Sequence, residues 1–345
     1  VNGALELTAF RGLPVWELPA AHYLLMIQAG AFAMLAGCAS RAFTLKSFEG
    51  LRLWGVLSAT GLVLAAPLNL VAELLSPERF PSMLYRVHLS SPLSWGVWAI
   101  LALTAFGLIE CRLLFRPSEP GGAAGGVRPE PRQSRLIPRL TSLAALGVVV
   151  YTAIEIGNAK GVALWAGFWP LAALLFSGLA AGLAVCLGLA RLANPGKGKT
   201  VPEPLPRRIL ALACALSGLA LLGWGGLTAL PVFFAWPGAA VLPALGAVAF
   251  LLAAALLCGR PRARYAWACG LTVAGAWAAR VAVLSVGQAA ALGRNLGEPH
   301  LAGHAGLLTA FAPMAFWLVC MLAASIAVGR LSGHAGRGRG AEAKP

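Results

Sequence analysis

His22, the series Tyr151, Glu155 and Asn158, and the pair Asn69 and Glu73 are the residues of this chain best suited to chemistry. Each lies in, or at the edge of, a long apolar run, where ionisable groups are costly and therefore mark functional candidates. Tyr151, Glu155 and Asn158 are spaced i, i+4, i+7 and form one stripe on a helix. Asn69 and Glu73, four apart, share a face in the same way. Arg280, followed by Gln288, is a further candidate, and an ion pair with Glu73 or Glu155 is the expected way to hold its guanidinium. A histidine, a phenol and carboxylates in an apolar pocket suit a quinol, with its apolar tail, flat ring and two oxygens that each exchange a proton and an electron. The histidine takes a proton near neutral pH and a carboxylate passes it on. Taken singly, His22 also fits an interfacial side chain, Tyr151 a packed aromatic, and Asn69 a repair of the backbone that Pro67 leaves unpaired. Their shared depth sets them apart.

That depth comes from the elements that must position them. Hydrophobic residues make up 59% of the chain and charged residues 11%, far from the balance of a soluble domain. Nine apolar segments, near 20–40, 51–75, 92–114, 139–158, 168–191, 208–230, 238–258, 265–286 and 306–329, are long enough to cross about 30 Å of hydrocarbon. Nearly all of the 27 Lys and Arg fall in alternate loops, leaving Arg11, Arg79, Arg86, Lys160 and Arg294 on the other side and Arg280 inside a span. The positive-inside rule then predicts an all-α, polytopic transmembrane helix bundle of about nine spans, N-terminus outside and C-terminus cytoplasmic. Residues 1–345 form a single integral membrane domain. Segment 116–138, rich in Gly, Pro and Arg, reads as a flexible basic cytoplasmic linker dividing three helices from six, and 330–345 as a cytoplasmic tail. In this orientation His22, Asn69, Glu73, Tyr151, Glu155 and Arg280 all come to the outer leaflet. Glu110 is the acid expected near the inner side, at the end of the third span.

Several classes are excluded. The net charge of +15 is distributed between apolar runs, which fits topology rather than nucleic acid. The seven cysteines are scattered singly with no C-x-x-C, so no metal or cluster site is expected. His22 is the only histidine within a span, and a b-type haem wants two facing ligands, so no haem is expected either. Leu35-Ala36-Gly37-Cys38 imitates a lipoprotein box, but Glu6 and Glu17 precede it where a basic region would be needed. Gly178 and Gly182, a G-x-x-x-G pair, read as close helix packing.

The stretch Asn69 to Trp98, NLVAELLSPERFPSMLYRVHLSSPLSWGVW, resembles the signature of the NrfD/PsrC-type membrane subunits of molybdopterin oxidoreductases, D-L-x-x-P-x-R-F followed by S-P-x-S-W-G-x-W. The likeness continues at Tyr151 to Trp165, at Arg280 to Gln288, and at His22 within PAAHYLLMIQAG. It implies the quinone-reactive anchor of a three-subunit complex, with menaquinone or ubiquinone bound by His22, Tyr151, Asn69, Glu155 and Arg280, and His22, Tyr151 and Glu73 acting in catalysis. A ferredoxin-like iron–sulfur subunit would dock on the outer face at Arg79, Phe80, Arg86 and Trp95, with a molybdopterin catalytic subunit beyond it. Clusters and molybdopterin would sit only in those partners, and the anchor would lie in a bacterial inner membrane with its partners periplasmic. Two positions depart from the pattern. The asparagine expected one turn before the histidine is Pro19, and the acid of D-L-x-x-P is shifted, with Glu73 its nearest stand-in. Nine spans look most like the tetrathionate reductase anchor, so the terminal substrate would be a sulfur compound such as tetrathionate or polysulfide.

Two other classes compete. A purely structural anchor of a respiratory complex would tolerate loss of His22 and Tyr151. A secondary transporter would put its polar groups at the bilayer midplane, on broken helices.

Overall fold

The computed structural model describes residues 18–73, 81, 84–85, 91–115, 135–158, 162–193, 204–235, 237–259, 264–292 and 311–321. Arg79, Phe80, Arg86, the 116–134 stretch, the 330–345 tail and the side chain of Glu73 lie outside them. The described chain is helical: α1 (Leu18–Ala42), α2 (Arg52–Glu73), α3 (Pro92–Leu114), α4 (Leu136–Gly157), α5 (Phe168–Ala193), α6 (Pro204–Gly223), α7 (Leu230–Ala235), α8 (Val241–Cys258), α9 (Arg264–Leu292) and α10 (Phe311–Met321). Eight of the nine expected spans are long and apolar enough to cross a membrane; the ninth, expected near 306–329, is described only over α10.

The helices close into two rings of four. α1 packs on α2 and α4, and α3 joins those two; α5, α6, α8 and α9 repeat the arrangement. α1 is common ground, packing also on α5 and α9. Because α3 and α4 pack directly, the ring boundary falls after α4, one helix later than the basic segment 116–138.

Small residues set these close approaches. A Cβ on Gly37 would meet the backbone of Val56 at 2.8 Å, and one on Gly182 would meet the Ala29 carbonyl at 2.7 Å, so α1 touches α2 and α5 nearly backbone to backbone. Hydroxyls inside the helices are satisfied locally: Ser58 donates to the Trp54 carbonyl at 2.5 Å, Thr60 to Val56 at 2.8 Å and Thr272 to Ala268 at 2.8 Å. Pro67 is carried inside α2, half-buried. α6 ends in a π-helical turn, Trp224–Thr228, which turns the Trp224 indole inward to donate to the Leu164 carbonyl at 3.1 Å.

Two arginines cap helix ends. Arg139 donates from Nε to the Ala42 carbonyl at 3.3 Å, and Arg207 donates to the carbonyls of Leu257 and Gly259 at 2.7 and 3.1 Å. Both serve the end of the bundle that carries the basic loops, and both answer orphan carbonyls with positive charge.

Candidate functional site

His22 stands in the second turn of α1 and is fully buried. Trp277 of α9 donates its indole N–H to His22 Nε2 at 2.7 Å. An accepting Nε2 leaves Nδ1 as the proton-bearing atom of the neutral ring. The indole lies nearly parallel to the imidazole, with centroids 6.3 Å apart and planes at 24°. Phe311, at the start of α10, closes on the same ring at 4.6 Å and 58°.

The next residue, Tyr23, looks the other way, into the first ring of helices. Its hydroxyl lies 3.2 Å from that of Tyr151 on α4. Glu155, one turn further along α4, lies on the same helix face as Tyr151. Trp95 of α3 meets the Tyr151 ring edge to face at 6.4 Å. Glycine at position 96 beside it leaves room for the phenol, because a Cβ there would collide with Tyr151 Cδ2. Asn69 of α2 donates weakly to Met26 Sδ at 3.4 Å, one turn below His22. Its Oδ1, and Oε2 of Glu155, are buried acceptors with no hydrogen-bond partner in the described structure. Such an acceptor costs about 1–3 kcal/mol when nothing fills it, which makes each a natural seat for a ligand donor.

The structure thus brings His22, Asn69, Tyr151, Glu155 and Trp95 to one end of the bundle. The start of α1 and α3 and the end of α2 and α4 meet there. Arg280 is placed otherwise. It makes no ion pair among the described residues. Nη2 donates to Gln28 Oε1 at 2.6 Å and to the Leu174 carbonyl at 3.3 Å; Nη1 donates to Ser177 Oγ at 2.9 Å and to the Ala276 carbonyl at 3.1 Å. The expected partner Glu155 makes no ion pair with it, and Glu73 lies beyond the described side chains. At ~1.5 Å per residue, Gln28 and hence Arg280 sit about 9 Å deeper than His22. The buried cation is therefore held by neutral acceptors in the interior, not by an acid at the surface. Gly178 makes room for it, since a Cβ there would meet Gln28 Oε1 at 2.9 Å and Arg280 Nη2 at 3.1 Å.

Gln28 also ties the two groups of residues together, because its Nε2 donates to Thr152 Oγ1 at 2.9 Å, next to Tyr151. Asn158 is exposed at the end of α4, Gln288 is buried further along α9, and Glu110 is buried at the opposite end of α3. Tyr23, Gln28, Trp277 and Phe311 are site residues that sequence reasoning passed over. A signal existed for two of them. Trp277 is three residues from Arg280 and shares its face, and Gln28 is an uncharged polar residue in the middle of an otherwise apolar span.

The sequence profile of the family described as "Polysulphide reductase, NrfD" matches residues 7–292, most of the chain, and ends with the last residue of α9. No curated protein sequence matches.

Proposed function

Since the chain belongs to the NrfD, polysulphide reductase, family, which supplies membrane subunits of polysulfide-reductase-like complexes, we propose that it is the quinone-reactive anchor of a respiratory molybdopterin oxidoreductase. The observation that carries this reading is that His22 on one side of α1 and the Tyr23–Tyr151 pair on the other share one end of the bundle with the unfilled acceptors Asn69 Oδ1 and Glu155 Oε2. The family generally pairs with iron–sulfur and molybdopterin subunits. In this reading an iron–sulfur subunit docks over that same end, on the outer face of a bacterial inner membrane. Arg79, Phe80, Arg86 and Trp95 form its seat, and Glu73 extends the acid side of the site. The terminal substrate, a sulfur compound such as polysulfide or tetrathionate, is handled by the molybdopterin subunit.

The donor set fits a quinone. Trp277 and Phe311 offer apolar, flat contacts beside His22, and Trp95 offers another beside Tyr151. Menaquinone or ubiquinone, when bound, would exchange two electrons and two protons as it passes between its quinone and quinol forms. The chain's own residues govern the protons. His22, fixed at Nε2 by Trp277, presents its proton at Nδ1. The Tyr151 hydroxyl lies 3.2 Å from that of Tyr23, with Glu155 one turn away on the same helix face, so a proton leaving a quinol can be passed on to the carboxylate. Asn69 Oδ1 and Glu155 Oε2 accept from a hydroxyl and orient it. The surrounding rings keep water from short-circuiting these transfers.

Photolabelling of the purified complex with an azidoquinone tests the reading. Label on peptides from α1 and α4, displaced by excess quinol, supports it. Label confined to α6 and α8, or not displaced, contradicts it.

A further inference from the structure

We propose that Phe311 is a ring-contacting, specificity-determining residue of the His22 site, and that α10 is the wall separating that site from lipid; this rests on the quinone reading above. α10 lies beyond residue 292, where the family match ends, so it adds to the site from outside the matched region. Its seat is specific. Trp317 donates its indole N–H to the Ser58 carbonyl of α2 at 3.2 Å. Gly61, one turn along α2, leaves the hollow that this indole and Met321 occupy; a Cβ on Gly61 would meet Trp317 Cδ1 at 3.0 Å and Met321 Cε at 3.2 Å. Trp317 and Met321 are buried, whereas Phe316, Leu318 and Val319 face outward and are exposed. The helix is therefore anchored by one face and turns the other to lipid.

That anchoring brings Phe311 to the imidazole. The three rings of His22, Trp277 and Phe311 stand at 6.3, 4.6 and 6.4 Å from one another. His22 is wholly buried, yet Phe311 keeps 42% of its surface open. The phenyl ring is thus the boundary between the imidazole and the membrane. An apolar, flat-ringed molecule seated at His22 on this side lies against the Phe311 ring. Aromatic neighbours reward flat rings by offset or edge contacts, so the size of the side chain at this position governs which ring fits. A wall at the lipid side also retains the ring once it is bound.

The test uses the full complex in membranes. Quinol oxidation is measured with a single-ring and a fused-ring quinol for Phe311→Ala, Phe311→Leu and Gly61→Leu. His22→Ala serves as the reference, and artificial-donor activity reports the amount of assembled complex. Phe311→Ala is expected to raise KM by tenfold or more with little change in kcat, and to alter the ratio between the two quinols. Phe311→Leu should fall in between, and Gly61→Leu, which unseats α10 without touching the site, should move KM the same way. Unchanged KM and ratio in Phe311→Ala and Gly61→Leu, with quinol turnover lost in His22→Ala, overturn the role of Phe311 and leave the quinone reading standing. Full quinol turnover in His22→Ala overturns the His22 site and the role of Phe311 with it, and the quinone reading falls as well if Tyr151→Phe also keeps full turnover.

Discussion

Gly96 and Tyr151 are bound by exclusion: the phenol ring occupies the space that any side chain at position 96 would need. The glycine of the S-W-G-V-W stretch thereby fixes where the Tyr151 hydroxyl stands relative to Tyr23 and Glu155.

Gly96→Ala is therefore expected to push Tyr151 aside. Overpacking of this kind costs roughly 1–3 kcal/mol. Quinol-coupled turnover should fall by about tenfold or more while artificial-donor activity in the same membranes persists, since only the phenol moves. Unaltered quinol kinetics in Gly96→Ala would show that the ring tolerates displacement, and that its position does not matter to turnover.

The Arg280–Gln28 bond leads to an expectation opposite in sense to that for an ion pair. Gln28→Leu leaves a buried guanidinium short of its shortest bond, whereas Arg280→Met removes the cation itself. Stranding the charge should be the worse of the two, by on the order of 1–3 kcal/mol. Thermal stability of the purified complex should thus rank Gln28→Leu below Arg280→Met, with the double variant recovering part of the loss. A double variant as unstable as the sum of both singles would mean that the two residues act separately.

The positions of the spans were legible because uninterrupted apolar runs are the strongest signal a membrane chain carries, and the structure places the helices within a few residues of them. The four-and-four packing was not. Helix faces turned to lipid and faces turned to other helices are equally apolar, so residue pattern alone does not say which neighbour each helix takes. The stripe on α4 and the His22 position could be read from spacing, and the structure brings them to one end. The partner of Arg280 could not, because Gln28 carries no charge to advertise the pairing and lies on α1, far away in the chain. Phe311 was hidden for a simpler reason: one more phenylalanine in an apolar span has nothing to distinguish it until its ring is seen against the imidazole.

Topology offers a third expectation. Reporter fusions in the 116–138 segment and after Arg330 should report the cytoplasm, and fusions between Pro77 and Ser90 the outside, as the basic loops require. A linker found outside would invert the molecule and put His22 and Tyr151 on the inner face.

Spectroscopy of the chain purified apart from its partners provides a fourth. No haem band and no iron–sulfur signal are expected, since His22 is the only histidine within a span and the seven cysteines are scattered singly with no C-x-x-C. A stoichiometric b-type haem would break the direct passage of electrons from this chain to an iron–sulfur partner.

The most direct measurement compares quinol-coupled turnover in membranes carrying His22→Ala, Tyr151→Phe and Tyr23→Phe with the activity of the same membranes toward an artificial electron donor. Losing a proton-transfer group at the reacting ring typically costs a hundredfold or more, on the order of 2.7 kcal/mol. His22→Ala and Tyr151→Phe should therefore lose quinol turnover by about that factor and keep artificial-donor activity. Tyr23→Phe, which removes one hydrogen bond worth roughly 0.5–1.5 kcal/mol, should lose about tenfold or less. Full quinol turnover in both His22→Ala and Tyr151→Phe would contradict a quinone site at this end of the bundle and leave the chain a purely structural anchor.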